Sequence, residues 1–387
     1  MTATFYESSQ TDYGVHQEAM QSYLARGAER ARALDNRGPL RFTDAGDLHP
    51  QILQAYSEHG FYVFEGVIGA DELADIERDV IQMWERAPSH KGARLDKFGR
   101  PALAGDNRAN VLSWVRPLSD PIGGTDASHG RHPAKMIEPA APADAPEHIL
   151  QLVLGSLQFS DACLRLYAHP GLLRVAAAVH GDDFVPFNEA VWMKHPGLGG
   201  SVAWHQDGWT HWQSPELDEN SHGFNFMAQL YGCTAANGLW VVPGSHRAGK
   251  VDIKAMVEQA GSDRLPDAVP LICEPGDVAI CNRQAVHGSF ANTSPDMRVT
   301  INFGFHRRAS VLGVESGGVH NDIAVYDAAR IHERSKLIGY GITARKARFP
   351  HETPYDYAPL KDELSDLEFD DNARRAIKDY NLQDLGI

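Results

Sequence analysis

Val202-Ala203-Trp204-His205-Gln206-Asp207-Gly208 is the stretch on which the fold of this chain turns. A short β-favouring run ends in His-x-Asp before a glycine. Strand side chains alternate between faces, so His205 and Asp207 point to the same side. Around this stretch, from Phe184 to about Phe305, the sequence consists of short β-branched and aromatic runs. They include Ala190–Lys194, Phe224–Tyr231, Leu239–Val242, Val278–Cys281 and Arg298–Phe305, with Pro-Gly or Gly-Gly signals between several of them. Many short strands punctuated by turn residues predict a mainly β fold with a jelly-roll, double-sheet core.

Helical patterns flank that core. Val15–Leu34 reads as an amphipathic helix suited to packing or to an oligomer contact. Pro50–His59 reads as a helix stopped by Gly60, followed by the strand Phe61–Phe64 and by an acid-led helix from Ala70 to Arg86. Residues 87–146 are rich in Gly, Pro, Asp, Ser and His and predict a long, partly ordered loop region, either a lid or substrate-specificity loop or a tolerated surface insertion. A helical pattern is expected again from Glu147 to Val179, broken at His169-Pro170-Gly171, and a tail helix from Asp322 to Lys336.

Composition narrows the class of protein. With 36 Lys and Arg against 51 Asp and Glu in 387 residues, the formal net charge is −15. Nucleic acid and anionic membrane surfaces are therefore not expected partners. No apolar run approaches the ~18 residues of a membrane span, and the polar start Met1–Thr11 lacks the layout of a secretory signal, so a cytoplasmic location is expected. Cys163, Cys233, Cys273 and Cys281 show no CxxC pairing and read as buried thiols in a reduced compartment.

The 19 His residues prompt a search for metal ligands. His287 ends another strand-like segment, Asn282–Ser289. Two His and one carboxylate form the facial set that binds non-haem Fe(II) and leaves positions open for a co-substrate and O2. Arg298 begins the next strand and shares a face with Thr300 and Asn302. A guanidinium there can clamp a carboxylate, with Ser289 able to donate a second hydrogen bond.

These segments resemble the phytanoyl-CoA dioxygenase family of Fe(II)- and 2-oxoglutarate-dependent oxygenases. The matching stretches are Glu58–Val67, Lys194–Gly197 through His205–Gly208, Asn237–His246, and Glu274–Val278 through His287–Asn292 to Arg298. The resemblance implies a double-stranded β-helix, a cupin-like jelly-roll variant. It implies His205, Asp207 and His287 as iron ligands and Arg298, with Ser289 beside it, as the partner of the distal carboxylate of 2-oxoglutarate. Trp192 is a further candidate for facing the co-substrate. The organisation expected is an N-terminal helical extension over 1–47, the oxygenase core over 48–310 with its insertion, and a C-terminal extension over 311–387. One departure is Met227-Ala228-Gln229-Leu230-Tyr231-Gly232, which differs from the family's usual run on that strand.

The expected activity is hydroxylation of a small or medium organic substrate with release of succinate and CO2. An intact Asp207 disfavours halogenation, because halogenating relatives replace that carboxylate by a small residue. Two alternatives stay open. A non-redox jelly-roll that holds a metal and a ligand explains the triad but not Arg298 and Ser289. An oxygenase of the same family could instead desaturate, epoxidise or close a ring. His246 reads as a loop-packing residue, and His211 and His222 as solvent- or substrate-adjacent. Trp204, Trp209, Trp212 and Trp240 read as core with a share of pocket wall, and Arg307 and Arg308 as a solvated rim. The sequence leaves the oligomeric state open.

Overall fold

The computed structural model describes residues 6, 11–207, 222–316 and 323–384. The candidates Trp209, His211 and Trp212, and Asp322 at the start of the expected tail helix, lie outside the described residues. The described helices are α1 (Gln17–Ala33), α2 (Pro50–His59), α3 (Ala70–Arg86), α4 (Asp161–Tyr167), α5 (Pro170–His180), α6 (Ile253–Ala260), α7 (Ala328–Arg348) and α8 (Asp371–Ala376). The strands are β1 (Arg37–Pro39), β2 (Phe61–Glu65), β3 (Leu112–Val115), β4 (Ile149–Leu154), β5 (Val185–Lys194), β6 (Val202–His205) and β7 (Gly223–Gln229). They continue with β8 (Trp240–Val241), β9 (Val269–Pro270), β10 (Val278–Asn282), β11 (His287–Ser289), β12 (Arg298–His306), β13 (Glu315–Ser316) and β14 (Ala324–Val325).

Eight strands form a major sheet in the order β1-β2-β10-β7-β12-β5-β4-β3, and four form a minor sheet in the order β6-β11-β8-β9. Every pairing is antiparallel except β1 with β2. This is the jelly-roll arrangement expected from the sequence.

Alternation along β12 shows how the sheet divides core from site. Val299, Ile301, Phe303 and Phe305 are buried on one face, in a cluster with Leu166, Leu172, Leu173 and Ile338 of α4, α5 and α7. Burying each such side chain contributes about 1.5–3 kcal/mol. Arg298, Thr300 and Asn302 take the other face and line the cavity bounded by both sheets. Arg334 of α7 ties the helix layer to β5 through a buried pair with Glu189 at 2.9 Å.

The helix boundaries have local causes. Pro50 opens α2, and Gly60 closes it in the left-handed region (φ 79°), its N–H donating to the Tyr56 carbonyl at 2.8 Å. A Cβ at Gly60 would meet the His246 ring at 2.5 Å, so close packing also demands glycine there. The Ser160 hydroxyl caps α4 by accepting from Cys163 N–H at 3.0 Å. α1 lies against the outer side of the minor sheet, where Tyr23 stacks on Trp240 (centroids 4.5 Å apart) and donates to the Leu265 carbonyl at 2.8 Å.

Three expectations need correction. Ile149–Leu154 is not helical but strand β4, inserted between β3 and β5. Ile-Leu-Gln-Leu-Val-Leu is a short apolar run that period alone does not separate from a helix, and partners on both edges decide it. Residues 87–146 are not all loop, since Leu112–Val115 forms β3 at the sheet edge. The tail helix begins at Ala328, after the Asp327 side chain accepts from Arg330 N–H, and runs past Lys336 to Arg348. All four cysteines are free and buried. Among the described residues no helix is long and apolar enough to cross a membrane.

Candidate active site

The site begins with the pairing of β6 and β11, in which His205 and His287 are direct cross-strand partners. Paired residues in an antiparallel ladder share a face, so the two imidazoles lie side by side, with centroids 4.1 Å apart. The His205 Nδ1 lies 2.8 Å from the Ala203 carbonyl and the His287 Nδ1 2.9 Å from the Ala285 carbonyl. A carbonyl only accepts, so each Nδ1 carries the proton and each Nε2 presents its lone pair to the cavity.

Asp207 reaches the same face because Gln206 is pinned away from it. The Gln206 amide donates to the Gly249 and Gln284 carbonyls at 2.8 and 2.7 Å and accepts from Val251 N–H at 3.0 Å. The Asp207 N–H donates to the Arg283 carbonyl at 2.8 Å, and Asn225 of β7 donates to Asp207 Oδ2 at 3.2 Å. The carboxylate then sits 3.5 Å from His205 Nε2 and 3.8 Å from His287 Nε2. One ligand atom from each of the three residues lies within 4.8 Å of the others, a spacing that can hold a metal ion.

Burial alone would raise the Asp207 pKa. At the acid pH where the carboxyl titrates, the surrounding His205, His287 and Arg283 side chains outweigh burial and hold it well below its usual range. Burial, reinforced by His205, pushes His287 down to about 4, so it is a neutral imidazole near pH 7. An ionised carboxylate and neutral imidazoles are the protonation states that metal ligation needs.

The cavity in front of these residues has a volume of about 1270 Å³ and is lined by both sheets and by residues of the 87–146 stretch. Arg298, Ser289 and Trp192 all line it. Ser289 is on β11, two residues from His287 and thus on the same face. Arg298 is on β12, in register with Lys194 of β5. Its Nη1 donates to the Asn237 carbonyl at 2.9 Å, while its buried Nε has no hydrogen-bond partner among the described residues. The ammonium of Lys194 donates to the Phe290 carbonyl, which takes it out of the cavity. Trp192 lies between Leu152 and Thr300 in a row across β4, β5 and β12, and Thr300 donates to Gln229 Oε1 at 3.0 Å. Gln229, on the strand where the sequence departs from the family pattern, thereby forms part of the floor.

Other sequence candidates fall elsewhere. Trp204 alternates with His205 and faces the opposite side, donating from Nε1 to the Asp263 carbonyl at 2.7 Å. Trp240 is stacked on Tyr23. Both are core and contribute no pocket wall. His246 bonds the Ser57 carbonyl at 3.1 Å in loop packing. His222 is fully buried beside His306 and not solvent-adjacent. Arg307 bonds Ser310 at 3.2 Å.

Several cavity residues escaped the sequence reading. His132 stacks on His205 with centroids 4.1 Å apart and an interplanar angle of 16°. Arg131 and Arg283 each bring a guanidinium nitrogen to 3.9 Å from Asp207. Trp114 of β3 supplies an aromatic wall. Their flanking sequences carry no periodic or motif signal, apart from the nearness of Arg283 to His287.

The phytanoyl-CoA dioxygenase (PhyH) family matches the chain over residues 56–300, well over half its length. The chain belongs to that family. Phytanoyl-CoA dioxygenase 1 of Oryza sativa subsp. japonica is 32% identical over 114 residues, 27% of this chain and 38% of that protein. Dioxygenase lolE1 of Epichloe uncinata is 23% identical over 209 residues, 52% of this chain and 73% of that one. The match thus spans well under half the length of the Oryza protein. Among solved structures, EctD from S. alaskensis with 2-oxoglutarate and 5-hydroxyectoine has a TM-score of 0.49 and 20% identity, covering 72% of this chain and 82% of that one. The donor set suits the family's metal: two imidazoles fixed by backbone carbonyls and one ionised carboxylate, all buried and facing one cavity.

Proposed function

We propose that this chain is a 2-oxoglutarate-dependent dioxygenase that hydroxylates a small or medium organic substrate, with Fe(II) held by His205, Asp207 and His287. The carrying observation is that these three residues converge at one wall of a cavity whose opposing sheet presents Arg298. When bound, iron supplies O2 activation coupled to oxidative decarboxylation of the keto acid. Overall, substrate, O2 and 2-oxoglutarate become hydroxylated product, succinate and CO2.

The chain's own residues bind, orient and shield. The carbonyls of Ala203 and Ala285 fix the two imidazoles, and Asn225 fixes the carboxylate, so little reorganisation accompanies metal entry. Arg298 would hold the distal carboxylate of 2-oxoglutarate through its guanidinium, with Ser289 and Trp192 as further lining residues for the co-substrate. Ligand pockets commonly measure about 300–1,000 Å³. This cavity exceeds that range, leaving room for a substantial substrate beside the co-substrate.

The test is succinate release with Fe(II), ascorbate and 2-oxoglutarate. The wild type is expected to form succinate in an iron-dependent manner, and Asp207→Ala and His287→Ala to lose it. Undiminished release by either variant would refute the ligand assignment.

A further inference from the structure

We infer that the substrate carries a carboxylate and that Arg131, from the 87–146 insertion, is the residue that selects for it; this rests on the dioxygenase reading above. The chain reaches Arg131 through Ser128, His129 and Gly130, all at positive φ (51°, 58° and 68°). On its other side the His132 carbonyl is anchored by Gly124 N–H at 2.8 Å. The His132 ring lies flat on His205, so the Arg131-His132 dipeptide reaches the metal-ligand cluster directly. Arg131 itself lines the cavity.

Part of its hydrogen-bonding capacity is not used by the described residues. Nε and Nη1 are buried without a hydrogen-bond partner among the described residues. Asp207, at 3.9 Å, is beyond hydrogen-bond range. With a divalent ion on Asp207, that carboxylate no longer balances Arg131.

The other anions of the wall are already engaged. Asp120 accepts from Ile122 and Ala203 N–H groups, each at 2.8 Å, and Asp106 accepts from Lys378 at 2.5 Å. Two 2-oxoglutarate carboxylates meet the metal and Arg298 and leave Arg131 uncompensated. Lys91 and Arg94 add positive charge at the exposed rim of the same cavity, in a chain of net charge −15. This local reversal of sign favours entry of an anion. Leu112, Trp114 and Leu152 offer an apolar bed for the rest of the molecule. The ligand class is therefore an organic acid with an apolar body, its carboxylate paired with the Arg131 guanidinium.

The same guanidinium could receive a carboxylate from 2-oxoglutarate, so the experiment has two arms. Protein loaded with Mn(II), a redox-inert substitute, and 2-oxoglutarate is titrated with benzoate or with benzamide, read by intrinsic tryptophan fluorescence and thermal shift. The wild type is expected to bind benzoate at least about tenfold more tightly than benzamide, as a charge-assisted pair implies. Arg131→Gln should abolish that preference and Arg131→Lys retain part of it, with 2-oxoglutarate affinity in both variants within about twofold of wild type. Equal binding of the two probes by wild type, or a preference that survives in Arg131→Gln, overturns the inference. An Arg131→Gln variant that loses 2-oxoglutarate affinity instead assigns Arg131 to the co-substrate and also overturns it. The benzoate arm is repeated on metal-free protein, so that a failure of Mn(II) and 2-oxoglutarate to bind, which would count against the dioxygenase reading, is scored separately.

Discussion

His205 and His287 are oriented for a metal by partners two residues upstream, the carbonyls of Ala203 and Ala285, which accept hydrogen bonds from Nδ1–H and leave Nε2 facing the cavity. The parity of His-x-Asp made His205 and Asp207 legible as a pair, and Gln206, bonded on the opposite side, shows why that parity persists where β6 ends. Arg298 was legible for the same reason, through its alternation with Val299 and Ile301. Replacing it by Gln should raise the 2-oxoglutarate KM by about 10- to 100-fold, the scale of a charge-assisted hydrogen bond of about 1.5–3 kcal/mol. Steady-state kinetics against 2-oxoglutarate concentration checks this, and an unchanged KM would remove Arg298 from co-substrate binding. Arg131 and His132 were not legible, because they stand on irregular backbone whose course is set by distant contacts.

At the scale of elements, α1 depends on one close approach. A Cβ at Gly27 would collide with the Trp240 ring, so helix and minor sheet touch through a bare backbone. Gly27→Leu should lever α1 from the sheet and destabilise the fold by about 1–3 kcal/mol, read by urea denaturation. α3 is held differently, with Asp75 reaching Arg165 of α4 at 3.1 Å and Arg348 of α7 at 2.8 Å. Burial alone would raise the Asp75 pKa, but Arg348 and Arg78 outweigh it and lower the pKa. A lowered folded-state pKa gives stability that is present in full above the ordinary aspartate value of about 4 and fades as acid titrates the folded carboxyl. Asp75→Asn should therefore lower Tm at pH 7 and narrow its gap from wild type as the pH falls below about 4. β4 marks the limit of periodicity: six mostly apolar residues suit a helix or a strand, and only β3 and β5 on its two edges choose. The longer alternating runs of β5 and β12 were readable because each carries its own two-faced pattern.

For the molecule as a whole, one sheet face is core and the other is site. The helices cover the major sheet from outside, and the cavity separates its inner face from the three clustered side chains of the minor-sheet wall. Ligands that bind only this assembled cavity must stabilise the fold. Saturation at about 100 times Kd adds about 2.7 kcal/mol. Mn(II) with 2-oxoglutarate should accordingly raise the Tm of wild type by several degrees and leave His287→Ala nearly unmoved. The most direct measurement of the central claim is anaerobic titration of the apoprotein with Fe(II) in saturating 2-oxoglutarate, following the visible absorption of the iron–keto acid chelate together with bound iron per chain. The account predicts a band that saturates at one iron per chain in wild type and is absent in His287→Ala. A band of equal strength and stoichiometry in His287→Ala would contradict it.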